Sequence, residues 1–149
     1  MANYLDLSNK SSEAGQGRLP KFRGEIKNIS AITAATTLYD YDSGRVFTIQ
    51  QGSAFTITLP LATVKAGIEF TFILTASAAY AVKIDGGASN AIKGASMDVS
   101  AAINSIDNNM VQFVASGVVG SRIHLISDGS NYLVHAIDMG TNKVTGTNS

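Results

Sequence analysis

The chain of 149 residues has no cysteine, no tryptophan, two prolines and two histidines. Without cysteine there are no disulfide staples, no thiolate metal sites and no cysteine nucleophile, so the fold must cohere by packing alone. Charge is scarce too: 15% of residues are Asp, Glu, Lys or Arg, where a typical soluble domain carries about 25%. Eleven basic and eleven acidic residues cancel, which leaves no global attraction for a polyanion, and nucleic acid is not an expected partner. A neutral, thinly charged surface repels its own copies weakly, as suits a protein that works inside an assembly. No run approaches the ~20 apolar residues of a membrane span. The opening MANYLDLSNK lacks the basic and apolar regions of a signal peptide. The expectation is a chain made and kept in a cytoplasm, or in a particle assembled there, with no membrane partner.

What is present divides into an arm, a body and a tail. Residues 1–30 follow neither a helical nor a strand period, and Ser8 to Gly17 has the small polar composition of a segment unable to build its own core. The apolar residues Tyr4, Leu5, Leu7, Leu19, Phe22, Ile26 and Ile29 are too dispersed to pack together and too numerous for a plain linker. Arg18, Lys21, Arg23 and Lys27 against Glu25 give the second half of this arm a charge of +3. Residues 31–149 hold six basic and eight acidic side chains, a charge of −2. Arm and body therefore lean in opposite directions.

From Thr36 onward, short alternating runs separated by Gly, Asp, Asn and Ser clusters predict an all-β domain of antiparallel strands over residues 31–140. Tyr39–Tyr41, Asp42-Ser43-Gly44 and Arg45–Gln50 read as a hairpin with Gly at a left-handed position. Further strands are expected at Ala54–Leu59, ended by Pro60, which has no amide to donate, and at Ile68–Leu74, Tyr80–Asp85, Met110–Ala115, Arg122–Ser127 and Tyr132–Met139. Tyr80 is expected to face inward with Val82 and Ile84. Between Gly86 and Asn109 the pattern is broken by small residues, leaving Ile92, Met97, Val99, Ile103 and Ile106 in a long connection or short edge strands. The polar tail, residues 141–149, is expected to fray. No internal repeat stands out. The architecture implied is a β-sandwich or jelly roll with Phe47, Ile49, Phe55, Ile57, Phe70 and Phe72 inside, joined by Val82, Ile84, Val111, Phe113, Ile123 and Leu125.

Residues able to carry chemistry are few. If the Asp128-Gly129 turn closes a hairpin, His124 and His135 project from one face of adjacent strands. Two imidazoles fall short of the three or four ligands of a stable zinc centre, and polar contacts on a sheet or subunit interface explain them better. At an interface they would make assembly sensitive to pH. Asp40-Tyr41-Asp42-Ser43-Gly44 has the spacing of part of a calcium loop but lacks its closing acid, so turn formation is the better account. Gly15-Gln16-Gly17 follows no strand and reads as a joint, not a phosphate cradle. There is no Gly-x-Ser-x-Gly elbow, and three Glu with no Trp are thin material for a sugar-cutting cleft. No catalytic residue, metal or cofactor is assigned.

The stretches Asp42-Ser43-Gly44-Arg45-Val46-Phe47-Thr48-Ile49, Phe55-Thr56-Ile57-Thr58-Leu59-Pro60 and Gly67-Ile68-Glu69-Phe70-Thr71-Phe72 resemble a pattern of small virion proteins of tailed phages. Ser127-Asp128-Gly129-Ser130-Asn131-Tyr132 is similar to the end of that pattern, which often has Trp where this chain has Tyr132. The likeness spans residues 37–135 and consists of turn chemistry and core aromatics. Within that group, a lone β domain behind an arm most resembles the head decoration, or cement, proteins. The resemblance implies a homotrimer on the outer surface of the capsid, bound to the major capsid protein and reinforcing the shell. A tail-fibre or other host-recognition module is the alternative, with Tyr4, Tyr39, Tyr41, Tyr80 and Tyr132 as stacking platforms for glycans.

Ordering ~30 residues costs on the order of 30 to 60 kcal/mol of backbone entropy, and burying seven larger apolar side chains returns about 10 to 20. The arm is therefore expected to gain shape only on a partner, by strand addition and through Tyr4, Leu7, Arg18, Leu19, Lys21, Phe22, Arg23 and Lys27.

Overall fold

The computed structural model describes residues 28–50, 52–77, 80–88 and 91–148. Twelve strands account for most of them, arranged as two facing sheets. They are β1 (Ile29–Ile32), β2 (Thr36–Thr37), β3 (Val46–Gln50), β4 (Phe55–Thr58), β5 (Glu69–Ala76), β6 (Val82–Asp85), β7 (Ile92–Asp98), β8 (Ile103–Asn108), β9 (Met110–Phe113), β10 (Arg122–Ser127), β11 (Tyr132–Asp138) and β12 (Val144–Thr147). The larger sheet runs β1-β3-β5-β10-β11-β7-β8 and the smaller β12-β9-β6-β4-β2. The body is the all-β sandwich that the alternating pattern predicts.

The directions of the strands differ from that expectation. Over β1 to β6 each strand lies in the opposite sheet from the one before it. It returns beside the strand two earlier, so β1-β3-β5 and β2-β4-β6 are both parallel sets. The first half of the body is thus a coil wound around the core. The second half folds back antiparallel, with β10 on β5, β9 on β6, and the β7–β8 and β10–β11 hairpins; β7 alone adds parallel to β11. Alternation specifies which side chains face the core equally well in either direction, so the sheets are mixed where antiparallel pairing was expected.

The turn Asp42-Ser43-Gly44 forms but closes no hairpin. Residues 40–42 make a 3-10 turn instead of a strand. Ser43 Oγ accepts from the Glu69 amide at 3.0 Å, and the Gly44 amide donates to the Glu69 carbonyl at 2.9 Å. The turn therefore docks on the start of β5 and delivers β3 parallel to it.

Phe47, Phe70, Phe72 and Tyr132 form an aromatic layer on the inner face of the larger sheet, with neighbouring ring centroids 5.5 to 6.5 Å apart. Against it the smaller sheet sets Ile57, Val82, Ile84, Val111 and Phe113, all fully buried. Of the twelve expected core residues eleven are buried, and Phe55 is half-buried against the same cluster. Tyr80, expected inward, is 48% exposed. Tyr132 is fully buried, and its hydroxyl donates to the Pro60 carbonyl at 2.9 Å, tying β11 to the exit of β4. Burial raises its phenol to about 12.

Residues 86–109, left open by the sequence, supply β7 and β8, with Ile92 and Ile106 in the core. The expected fraying tail is also ordered across residues 144–147, where β12 pairs with β9. The reason is Asp138. Its buried carboxylate accepts from the amides of Gly140, Lys143 and Val144, while Val144 fills a core position and Ser96 Oγ donates to the Val144 carbonyl.

Gly94 permits the parallel β7–β11 contact. Its φ is +145°, and a Cβ there would stand 2.1 Å from the Val134 carbonyl oxygen. Gly94→Ala must push the two strands apart, and is expected to cost at least about 2 kcal/mol of unfolding free energy in urea titration.

Candidate functional site

The outer face of the larger sheet is built by register. Side chains directly opposite one another on paired strands share a face. Inward positions of β10 and β11, such as Ile123 and Ala136, are fully buried, so the alternate positions point outward. Across β5, β10, β11, β7 and β8 this places three rows on the outside. The middle row is Thr71, His124, His135, Ala95 and Ser105. On one side of it run Ile73, Arg122, Ile137, Met97 and Ile103; on the other run Glu69, Ile126, Leu133, Lys93 and Asp107. Ile29 and Val46 extend the middle row onto β1 and β3.

The expected adjacency of His124 and His135 is present: they are direct cross-strand partners in a hairpin closed by residues 128–131. The sequence dictates that closure through Asp128, whose Oδ1 accepts from the amides of Ser130 and Asn131, both at 2.7 Å. Those amides, Asn131 first, hold the Asp128 carboxyl below its usual range. His124 Nε2 stands 3.6 Å from Glu69 Oε2, and Lys93 Nζ stands 4.0 Å from Asp107 Oδ1. Among the described residues no group of three or more His, Cys, Asp or Glu is placed to hold a metal ion.

The face is largely polar along its middle row and carries its apolar side chains in the two rows that flank it. Ile103 is 74% exposed, Met97 and Leu133 46% each. Met97 and Ile103, expected in a long connection or short edge strands, are register partners on β7 and β8. The small residues between them concealed an alternation that runs Lys93, Ala95, Met97 outward and Ile92, Ser96, Asp98 inward.

Other candidate residues are scattered. Tyr4, Leu7, Arg18, Leu19, Lys21, Phe22, Arg23 and Lys27 lie outside the described residues, as does Gly15-Gln16-Gly17. Asp42 is a turn-former: Oδ2 accepts from the Tyr39 amide at 3.1 Å, and Oδ1 pairs with Arg45 Nη1 at 2.5 Å. Tyr39 and Tyr41 stack on each other with centroids 5.2 Å apart and planes 17° apart, both exposed. Tyr132 is inside and provides no platform. An open recess of about 250 Å³ is lined by Ala54, Phe55, Thr56, Ala81 and Lys83. It presents one ionisable group, which is a poor start for acid–base chemistry.

No protein-family model matches the chain, and no curated protein matches it.

Beside the face, Asp98 is a loop-clamping carboxylate. Its Oδ1 accepts from the Ser100 hydroxyl at 2.6 Å and from the amides of Ser100 and Ala102. The hydroxyl is the chief reason that its carboxyl lies below the ordinary 3.8, against the opposing effect of burial. The Asp-x-Ser spacing in the β7–β8 turn was the available signal. Folded-state values for Asp98 and Asp128 are depressed, so their bonds contribute stability that is complete above the unfolded value of about 3.9 and lost as pH falls through the folded values. Urea midpoints are expected to decline below about pH 4, and Asp128→Asn to make that decline shallower.

Proposed function

We propose that this chain is a structural, non-enzymatic virion protein. In this reading it binds the outer surface of a tailed-phage capsid as a trimeric decoration protein, contacts the major capsid protein and stabilises the shell after synthesis in the host cytoplasm. The observation that carries the reading is the junction at Asn28. Residues 1–27 lead directly into β1, which is the end strand of the larger sheet and pairs, among the described residues, with β3 alone. Chain that is continuous in sequence with an edge strand is a suitable donor of a further strand to a neighbouring surface. Its +3 second half and its spaced apolar residues supply the means to hold one. The segments that resemble phage virion proteins fall on β3, β4, β5 and the β10–β11 turn. Three such arms on a trimer would raise effective concentration and turn weak single contacts into firm attachment.

A variant lacking residues 1–27 is expected to keep the strand signature in circular dichroism and to lose at least about tenfold in capsid affinity, about 1.4 kcal/mol. Unchanged occupancy on purified shells would remove the arm from the attachment.

The stacked Tyr39–Tyr41 ledge favours a second reading, a host-recognition module of a tail fibre. Exposed aromatic faces stack on the apolar faces of sugars. Under this reading the chain binds components of a glycan array and Tyr41→Ala abolishes the signal; an array without signal discards it.

A further inference from the structure

We propose that copies of this chain pack on one another through the outer face of the larger sheet, and that the His124–His135 pair at its centre makes this contact sensitive to pH. The proposal rests on the self-assembly in the reading above but not on the capsid.

Size, composition and charge all point to a second copy as the occupant. Seven strands about 4.8 Å apart and side-chain rows about 6.8 Å apart outline on the order of 600 Å², near the ~800 Å² that each partner contributes to a standard interface. Ile73, Ile137, Met97 and Ile103 form one nearly continuous apolar row, and Ile126 and Leu133 interrupt the other. Met97, Ile103, Ile126 and Leu133 are exposed, and as neighbours on one face they differ from singly scattered apolar residues. Its fixed charges are Arg122 and Lys93 against Glu69 and Asp107, which cancel. A copy facing a copy therefore meets no net repulsion with neutral imidazoles, and opposite charges are present on both sides to set the rotation between them. The arm is a less suitable occupant, because its +3 half finds on this face as many positive as negative groups.

The pH clause follows from what surrounds the two imidazoles. His124 faces Glu69 from β5 at 3.6 Å, with Arg122 one outward position along its own strand. His135 is opposite His124, with Ala95 of β7 on its other side and Lys93 one outward position along β7. Asp107 of β8 pairs with Lys93. Glu69 and Asp107 already balance Arg122 and Lys93, so protonating both imidazoles leaves each face with a net charge of +2. Imidazole as a class takes up its proton between about pH 7 and pH 5. Packing two such faces together would then confine an excess of positive charge from both copies in a partly dehydrated contact, which drives the copies apart.

The test is sedimentation equilibrium of the full chain at about pH 7.5 and about pH 5, with circular dichroism to check folding. The expected result is assembly at the higher pH and a shift toward monomer at the lower, at least about tenfold in dissociation constant. Leu133→Lys is expected to weaken assembly at both values, and Ile103→Lys, on the end strand, supplies a second variant should the first not fold. His124→Gln with His135→Gln is expected to stay assembled at the lower pH. The proposal is overturned if the wild type is monomeric throughout, if assembly ignores both lysine variants, or if its pH response survives removal of both histidines. Loss of assembly in a chain lacking residues 1–27, with the lysine variants unaffected, would give the contact to the arm instead. A lysine variant that is monomeric yet still binds capsids upholds this interface and counts against the trimeric part of the functional reading; failure of the wild type to bind capsids while it assembles as expected counts against that reading alone.

Discussion

The molecule depends on the meeting of two apolar layers: the aromatic inner face of the larger sheet, Phe47, Phe70, Phe72 and Tyr132, and the mainly aliphatic inner face of the smaller one. With no disulfide and few ion pairs among the described residues, this contact supplies the cohesion. It also constrains the path of the chain. Strands β1 to β6 pass from one layer to the other at every step, so each coil of chain closes around the core and the links between strands stay at its rim. The hydroxyl of Tyr132 crosses from one sheet to the backbone at the exit of the other, where a phenylalanine could fill the space but not make the bond.

Polar groups finish what this layer begins. Asp138 and Asp98 are register partners on β11 and β7, and each gathers backbone amides of the loop that follows its own strand. Asp138 thereby returns the chain so that Val144 reaches the core and β12 completes the smaller sheet. A buried carboxylate surrounded by amide donors is tolerated because those donors replace its water. One acidic side chain thus orders a segment whose composition alone predicts disorder.

The positions of β3 to β6 and β9 to β11 were readable in the sequence, but those of β1, β2, β7, β8 and β12 were not, and neither was the pairing. The spacing of Phe55, Ile57 and Leu59, or of Phe70, Phe72 and Leu74, marks a half-buried strand whichever neighbour it has. Direction is a property of the connection, and Gly44 suited a hairpin as well as it suits the docked turn that forms. A trace of the coil is present in Phe47-Thr48-Ile49, Phe55-Thr56-Ile57 and Phe70-Thr71-Phe72. These fall on the consecutive strands β3, β4 and β5, at unequal spacing, and so show no fixed period. The imidazole pair was foreseeable because the Asp128 turn fixes the register of a local hairpin. The rows around it were not, since they unite strands from distant parts of the chain.

That outer face also bears on how copies could meet without growing indefinitely. Open strand edges invite endless lateral pairing. Here β2 is two residues long, and β8 carries Asn104, Ser105, Asp107 and Asn108, with Asp107 engaged by Lys93. Apart from Ile103, which faces outward, the exposed side chains of these edges are polar. The broad face, with a neutral set of charges around isoleucine, leucine and methionine, offers more apolar surface. Association through a face also closes on itself when the copies are related by rotation, whereas head-to-tail contact that does not close generates filaments. A thinly charged surface, hazardous on a lone molecule, becomes useful where a defined face is covered by another copy.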